Sequence, residues 1–106
     1  MEDLTDEIFK KIKIERQRQD TLFGFKDWPD GTCACLKFTE EERLAKETVR
    51  YYFPRGNGTW LDLLREEFCE AQAAIDTKSL EEELIQVAAL AVAWLEAIQK
   101  RKQNEP

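Results

Sequence analysis

Apolar residues recur at helical spacing in four stretches of the chain, separated by segments rich in turn residues. The first runs from Thr5 to about Asp20, with Ile8, Ile12, Glu15 and Gln19 in register. An irregular segment over about 23–38 follows. It carries Gly24, Pro29, the Asp30-Gly31 turn signal and a Cys33/Cys35 pair. Thr39, with Glu42 three residues on, predicts a capping box that opens a second helix to about Tyr52. Pro54, Gly56 and Gly58 end it. Thr59 is placed to cap a third helix through Trp60, Leu64, Phe68 and Ala71 to about Ile75. A short connector, Asp76-Thr77-Lys78, leads to Ser79 and Glu82, a further predicted capping box, and a last helix from Leu80 to about Lys100. The basic Lys100, Arg101 and Lys102 suit its C-terminal end. Such a short connector makes the third and fourth helices an antiparallel hairpin. The expected fold is all-α, a four-helix bundle in one domain over residues 1–106.

Two helices break their own pattern. Residues follow one another at ~100° around a helix axis. On the third helix Trp60, Leu61, Leu63, Leu64, Phe68, Ala71, Ala74 and Ile75 then form one broad apolar arc. Glu67 falls inside it, Glu70 lies at its edge, and Glu66 lies further toward the polar side. On the fourth helix Leu80, Leu84, Val87, Leu90, Ala91, Trp94 and Ile98 form the apolar face. Glu83 falls inside that face, with Gln86 at its edge. A lone carboxylate facing a core is opposed by desolvation. Two such breaches on helices that must meet suggest acids gathered in one place. Crowded acids either take up protons or surround a cation. Mg²⁺ or Mn²⁺, which prefers oxygen ligands and keeps some of its waters, suits a partly open helical groove. Periodicity alone leaves two other readings open: structural ion pairs, and a wider groove in which these acids are solvated.

Composition narrows the chemistry. The 106 residues include no histidine, which removes Ser-His-Asp and Cys-His nucleophile systems and His-ligated zinc. If the chain catalyses a reaction, carboxylates with a hard cation are the expected means. The formal net charge of -6 disfavours non-specific binding to a phosphate backbone, so no nucleic-acid partner is expected. Three cysteines, Cys33, Cys35 and Cys69, support neither a disulfide framework nor a zinc quartet, and reduced thiols are the default. No apolar run reaches the roughly 18 residues of a membrane span, and the start MEDLTDEIFKK lacks the regions of a signal peptide. A cytoplasmic protein with no membrane partner is expected. A chain this short buries limited apolar surface, so oligomerisation is expected as well.

The same residues carry a family likeness. Glu66-Glu67-Phe68-Cys69-Glu70 matches the Glu-Glu-x-x-Glu motif of the MazG-like nucleotide pyrophosphohydrolase superfamily, which includes dimeric dUTPases and phosphoribosyl-ATP pyrophosphohydrolases. Glu83-Leu84-Ile85-Gln86 matches the Glu-x-x-Asp motif of the following helix at its first position and departs from it at its last. The segment TWLDLLREEFCEAQAAIDTKSLEEELIQVAALAVAWLEAI resembles a group of small phage and bacterial MazG-like proteins. The opening segment IERQRQDTLFGFKDWPDGT is similar to theirs in its Glu-Arg-x-Arg-Gln-Asp start and its Pro-Asp-Gly-Thr turn. The likeness covers most of the chain, best from Thr59 to Ile98.

That resemblance implies a four-helix MazG-like bundle, assembled as a homodimer or homotetramer, in the cytoplasm of the cell or of a phage's host. It implies Mg²⁺ (or Mn²⁺) held on the triphosphate of an NTP or dNTP, and hydrolysis to a nucleoside monophosphate and pyrophosphate. By matching position, Glu67, Glu70, Glu83 and Gln86 are the metal-site residues, and Glu66 and Glu67 the catalytic ones, Glu66 as a ligand or as the base that orients the water. Gln86 offers a neutral oxygen where the pattern has a carboxylate. A non-catalytic protein that sequesters a nucleotide on the same scaffold is therefore the alternative, and a helical interaction protein with structural acids is a third reading.

Further residues are candidates for the substrate itself. Glu15 and Gln19 fall on the apolar side of the first helix and, with Arg16, Arg18 and Asp20, form a candidate nucleotide-contacting wall. Ordinary pairing among helix side chains is the competing reading. Phe23, Phe25 and Trp28 are candidates to stack on a base, or else to cover a core. Arg50, Arg55, Lys46 and Lys78 are candidate phosphate contacts, with solvation their default. There is no Gly-x-x-x-x-Gly-Lys-Ser/Thr loop and no Gly-x-Gly-x-x-Gly.

Overall fold

The computed structural model describes residues 2–105. Every regular element among them is helical, as expected: α1 (Leu4–Phe23), α2 (Leu36–Tyr52), α3 (Trp60–Gln72) and α4 (Thr77–Gln103), with a single 3-10 turn at Phe53–Arg55.

The helix ends show which local chemistry won. Asp3 caps α1 by accepting the Asp6 N–H at 2.9 Å. The helix runs past Asp20 to Phe23, because Gly24 is the first residue that adopts positive φ (68°) and its N–H closes on the Asp20 carbonyl. The capping box foreseen at Thr39 does not form. Helix α2 starts four residues earlier, with Cys35 as its N-cap, and the Thr39 hydroxyl donates back to the carbonyls of Cys35 and Leu36 inside the first turn. Thr59 does cap α3, and Asp62 makes the box reciprocal. Helix α3 stops at Gln72 rather than Ile75. Ser79 is not the cap of α4. Asp76 takes that role, accepting the Ser79 N–H on its carboxylate (2.8 Å) and the Leu80 N–H on its carbonyl (3.0 Å).

The chain forms two compact units, one from Gly31 to Ala91 and the other from the residues up to Asp30 together with those from Val92 onward. In the first, α2 packs on α3. A hydrogen bond joins the Gln72 amide to the Glu41 carboxylate, and the Cys33 N–H reaches the Gln72 carbonyl at 3.1 Å. Ala45, Cys69, Ala71, Ala73 and Leu80 are buried there. In the second unit Ile8 and Val92 are buried, and the Thr5 hydroxyl donates to Glu96 at 2.5 Å.

These cores are small. Among the described residues, the arc expected to be core on α3 is only partly covered. Leu61, Phe68 and Ile75 are exposed, as is Leu84 on α4. The facing surface of α2 reaches only one side of that arc. Trp60 and Trp94 are half-buried.

Candidate metal centre

Glu67 and Glu70 lie one turn apart on α3, so helical geometry sets both carboxylates on one face. Glu83 comes from the first third of α4. Glu70 precedes the cap residue Asp76 by six positions and Glu83 follows it by seven, and the short connector between α3 and α4 leaves the two in one group. One carboxylate oxygen from each of Glu67, Glu70 and Glu83 lies within 4.8 Å of the others. All three residues are half-buried.

Burial and like charge set the electrostatics of this group. The Oε2 atoms of Glu67 and Glu83 are buried and without a hydrogen-bond partner. Such atoms are costly unless something satisfies them. Burial pushes the Glu67 carboxyl above its ordinary range, and the charge of Glu83 pushes it further. Burial does the same to Glu70, partly offset by its bond with Glu83 and by Lys46. Glu83 is raised by burial and then by its hydrogen bond with Glu70. A divalent cation among these oxygens would offset their crowded charge and satisfy the two unpartnered atoms. The donor set, carboxylate oxygens only, fits Mg²⁺ or Mn²⁺ and does not fit a thiophilic metal.

The other expected site residues are placed less centrally. Glu66 is half-buried beside the group, and its charge raises Glu67 and Glu70, yet it is not one of the three that converge. Gln86, one turn beyond Glu83, is exposed. Sequence reasoning gave Glu42, whose charge bears on Glu83, only a capping role, and Lys46 a phosphate contact or solvation. Lys46 Nζ lies 3.7 Å from Glu42 and bears on Glu70. The available signal was their i,i+4 spacing on either side of the buried Ala45, the face of α2 that packs on α3.

In the other unit, Glu15, Arg18 and Gln19 are exposed rather than turned to an apolar core. Arg18 grips Glu15 with two hydrogen bonds, at 2.8 and 2.7 Å, and Gln19 adds a third at 3.4 Å. Glu15 is thereby held below its ordinary range by Arg18. The pairing reading thus holds for Glu15. Arg16, Arg18, Gln19, Phe23, Lys26 and Trp28 do line a cleft of about 780 Å³, within the range of small-molecule sites. Lys26 Nζ sits 5.9 Å from the Trp28 ring centre. Arg55 is engaged locally, over the Tyr51 ring and on the Tyr51 carbonyl. Arg50 and Lys78 are exposed.

Compared with protein-family models, with curated proteins and with solved structures, the chain finds no match. No helix is long and apolar enough to cross a membrane among the described residues.

Proposed function

We propose that this chain is a Mg²⁺-dependent nucleoside triphosphate pyrophosphohydrolase on a MazG-like helical scaffold, converting a nucleotide and water to nucleoside monophosphate and pyrophosphate. The observation that carries the reading is the meeting of Glu67, Glu70 and Glu83, with two buried carboxylate oxygens left unpartnered. The motif likeness supports it, because the three residues that converge stand at matching positions.

Glu67, Glu70 and Glu83 would hold the cation, which when bound supplies charge neutralisation of the triphosphate and a more acidic water. Glu66, in the same segment of α3, orients the attacking water and accepts its proton. Leu36, Phe68, Ile75 and Ile85, each more than half exposed, favour a homodimer or homotetramer in which a second copy covers them.

Release of pyrophosphate from a panel of NTPs and dNTPs, with and without Mg²⁺, tests the activity. Metal-dependent release of equal monophosphate and pyrophosphate is the expected result; orthophosphate release, or none, counts against it. Gln86 in place of an acid favours a second reading, nucleotide binding without turnover. A nucleotide that raises the melting temperature but stays intact would establish that reading instead.

A further inference from the structure

Cys33 and Cys35 lie outside the acid group and the cleft, and the proposed hydrolysis uses neither. The segment that carries them is anchored at both ends. The Cys33 N–H donates to the carbonyl of Gln72, the last residue of α3. Two residues on, Cys35 takes extended backbone, φ −78° and ψ 163°, as the N-cap of the 17-residue α2. Two peptide units hold the Cα atoms within about 7.6 Å of each other. A disulfide spans about 4.4–6.8 Å between Cα atoms, a separation within the reach of two residues so linked.

The three thiols are not equivalent. Cys33 is exposed and Cys35 half-buried, whereas Cys69 is buried within α3 at 6% exposure. The Cys33 thiol beside it, followed by the Phe38 N–H at the start of α2, holds the Cys35 thiol below its ordinary range. The same contact pushes Cys33 up, and burial pushes Cys69 up. Cys35 is thus the better thiolate, Cys33 the neighbour that keeps its proton, and Cys69 the inert one.

We propose that Cys33 and Cys35 form a redox-active dithiol, oxidised by hydroperoxides, in which Cys35 is the attacking sulfur and Cys33 the resolving one. The Cys35 thiolate attacks the terminal oxygen of a hydroperoxide ROOH and breaks the O–O bond. The alkoxide leaves and takes up a proton as ROH, and the sulfur becomes a sulfenic acid. Cys33 then displaces hydroxide from that sulfur, forming the S–S bond, and its thiol proton leaves with the hydroxide as water. Two thiols and ROOH give a disulfide, ROH and water, two electrons passing from the sulfurs to the peroxide. The segment ahead of α2 is closed into a small ring by the product, and a thiol reductant reopens it.

The test uses the reduced full chain, titrated with hydrogen peroxide, alkylated with iodoacetamide and mapped by mass spectrometry. The expected result is loss of two hydrogens, alkylation of Cys69 alone after denaturation, and reversal by dithiothreitol. Cys33→Ser should stop at a Cys35 sulfenic acid that dimedone traps. Cys35→Ser, which keeps a good helix cap, should lose most of the oxidation rate, while Cys69→Ala should keep the disulfide. Absence of oxidation overturns the proposal, as does a bond to Cys69 or between two chains, or an undiminished rate in Cys35→Ser. Should a variant fail to fold, the bond mapped in the unaltered chain decides alone. None of these outcomes depends on the metal centre.

Discussion

Glu67 on α3 and Glu83 on α4 each bury one carboxylate oxygen, Oε2, with no hydrogen-bond partner, and each offers an oxygen within 4.8 Å of the other. Helices that bring like charges together and leave them unsatisfied lose stability by doing so. The arrangement is intelligible if a cation completes it.

Stability without metal should therefore fall as pH rises. The folded-state values of Glu67, Glu70 and Glu83 are raised above their ordinary 4.5. Their contribution is full below that value and is lost as pH climbs through the raised values. Glu15, Glu40 and Asp76 are lowered and act in the opposite sense, but only below their ordinary values. In EDTA, the melting temperature should drop by a few degrees between pH 5 and pH 7.5, and saturating Mg²⁺ should restore it. A flat or rising profile in EDTA would remove the strained acid group from the account.

Replacing one acid by its amide separates folding from catalysis. Glu67→Gln and Glu83→Gln should each reduce pyrophosphate release by about 100-fold or more. Each should leave the circular dichroism spectrum unchanged and raise the metal-free melting temperature at pH 7.5. Full activity in either variant takes that residue out of the site.

Gln86 tests how far the resemblance extends. Gln86→Asp restores the second motif and should tighten Mg²⁺ binding, read as a shift of the metal titration to lower concentration. An unchanged titration would mean that Gln86, exposed one turn past Glu83, does not reach the ion.

Much of this was legible in the residues. Four helices and the Thr59 cap follow from apolar periodicity and turn residues, and the clustered glutamates are visible as breaches of that periodicity. The caps at Thr39 and Ser79 were misplaced because Cys35 and Asp76, less conspicuous in the sequence, begin the two helices four and three residues earlier and add a turn of backbone hydrogen bonds. Glu42 and Lys46 were given other roles, a capping partner and a phosphate contact, because an i,i+4 acid–base pair normally belongs to a solvated face. Their charges nonetheless bear on Glu83 and Glu70. The partial exposure of Leu61, Phe68 and Ile75 was hidden as well, since periodicity reveals that a face is apolar but not what covers it.

The most direct test of the central claim is a crystal grown with Mn²⁺ and measured for anomalous scattering. A peak bonded to carboxylate oxygens of Glu67, Glu70 and Glu83 is the predicted result. The absence of a peak among these three side chains, at a Mn²⁺ concentration that supports turnover, would contradict it.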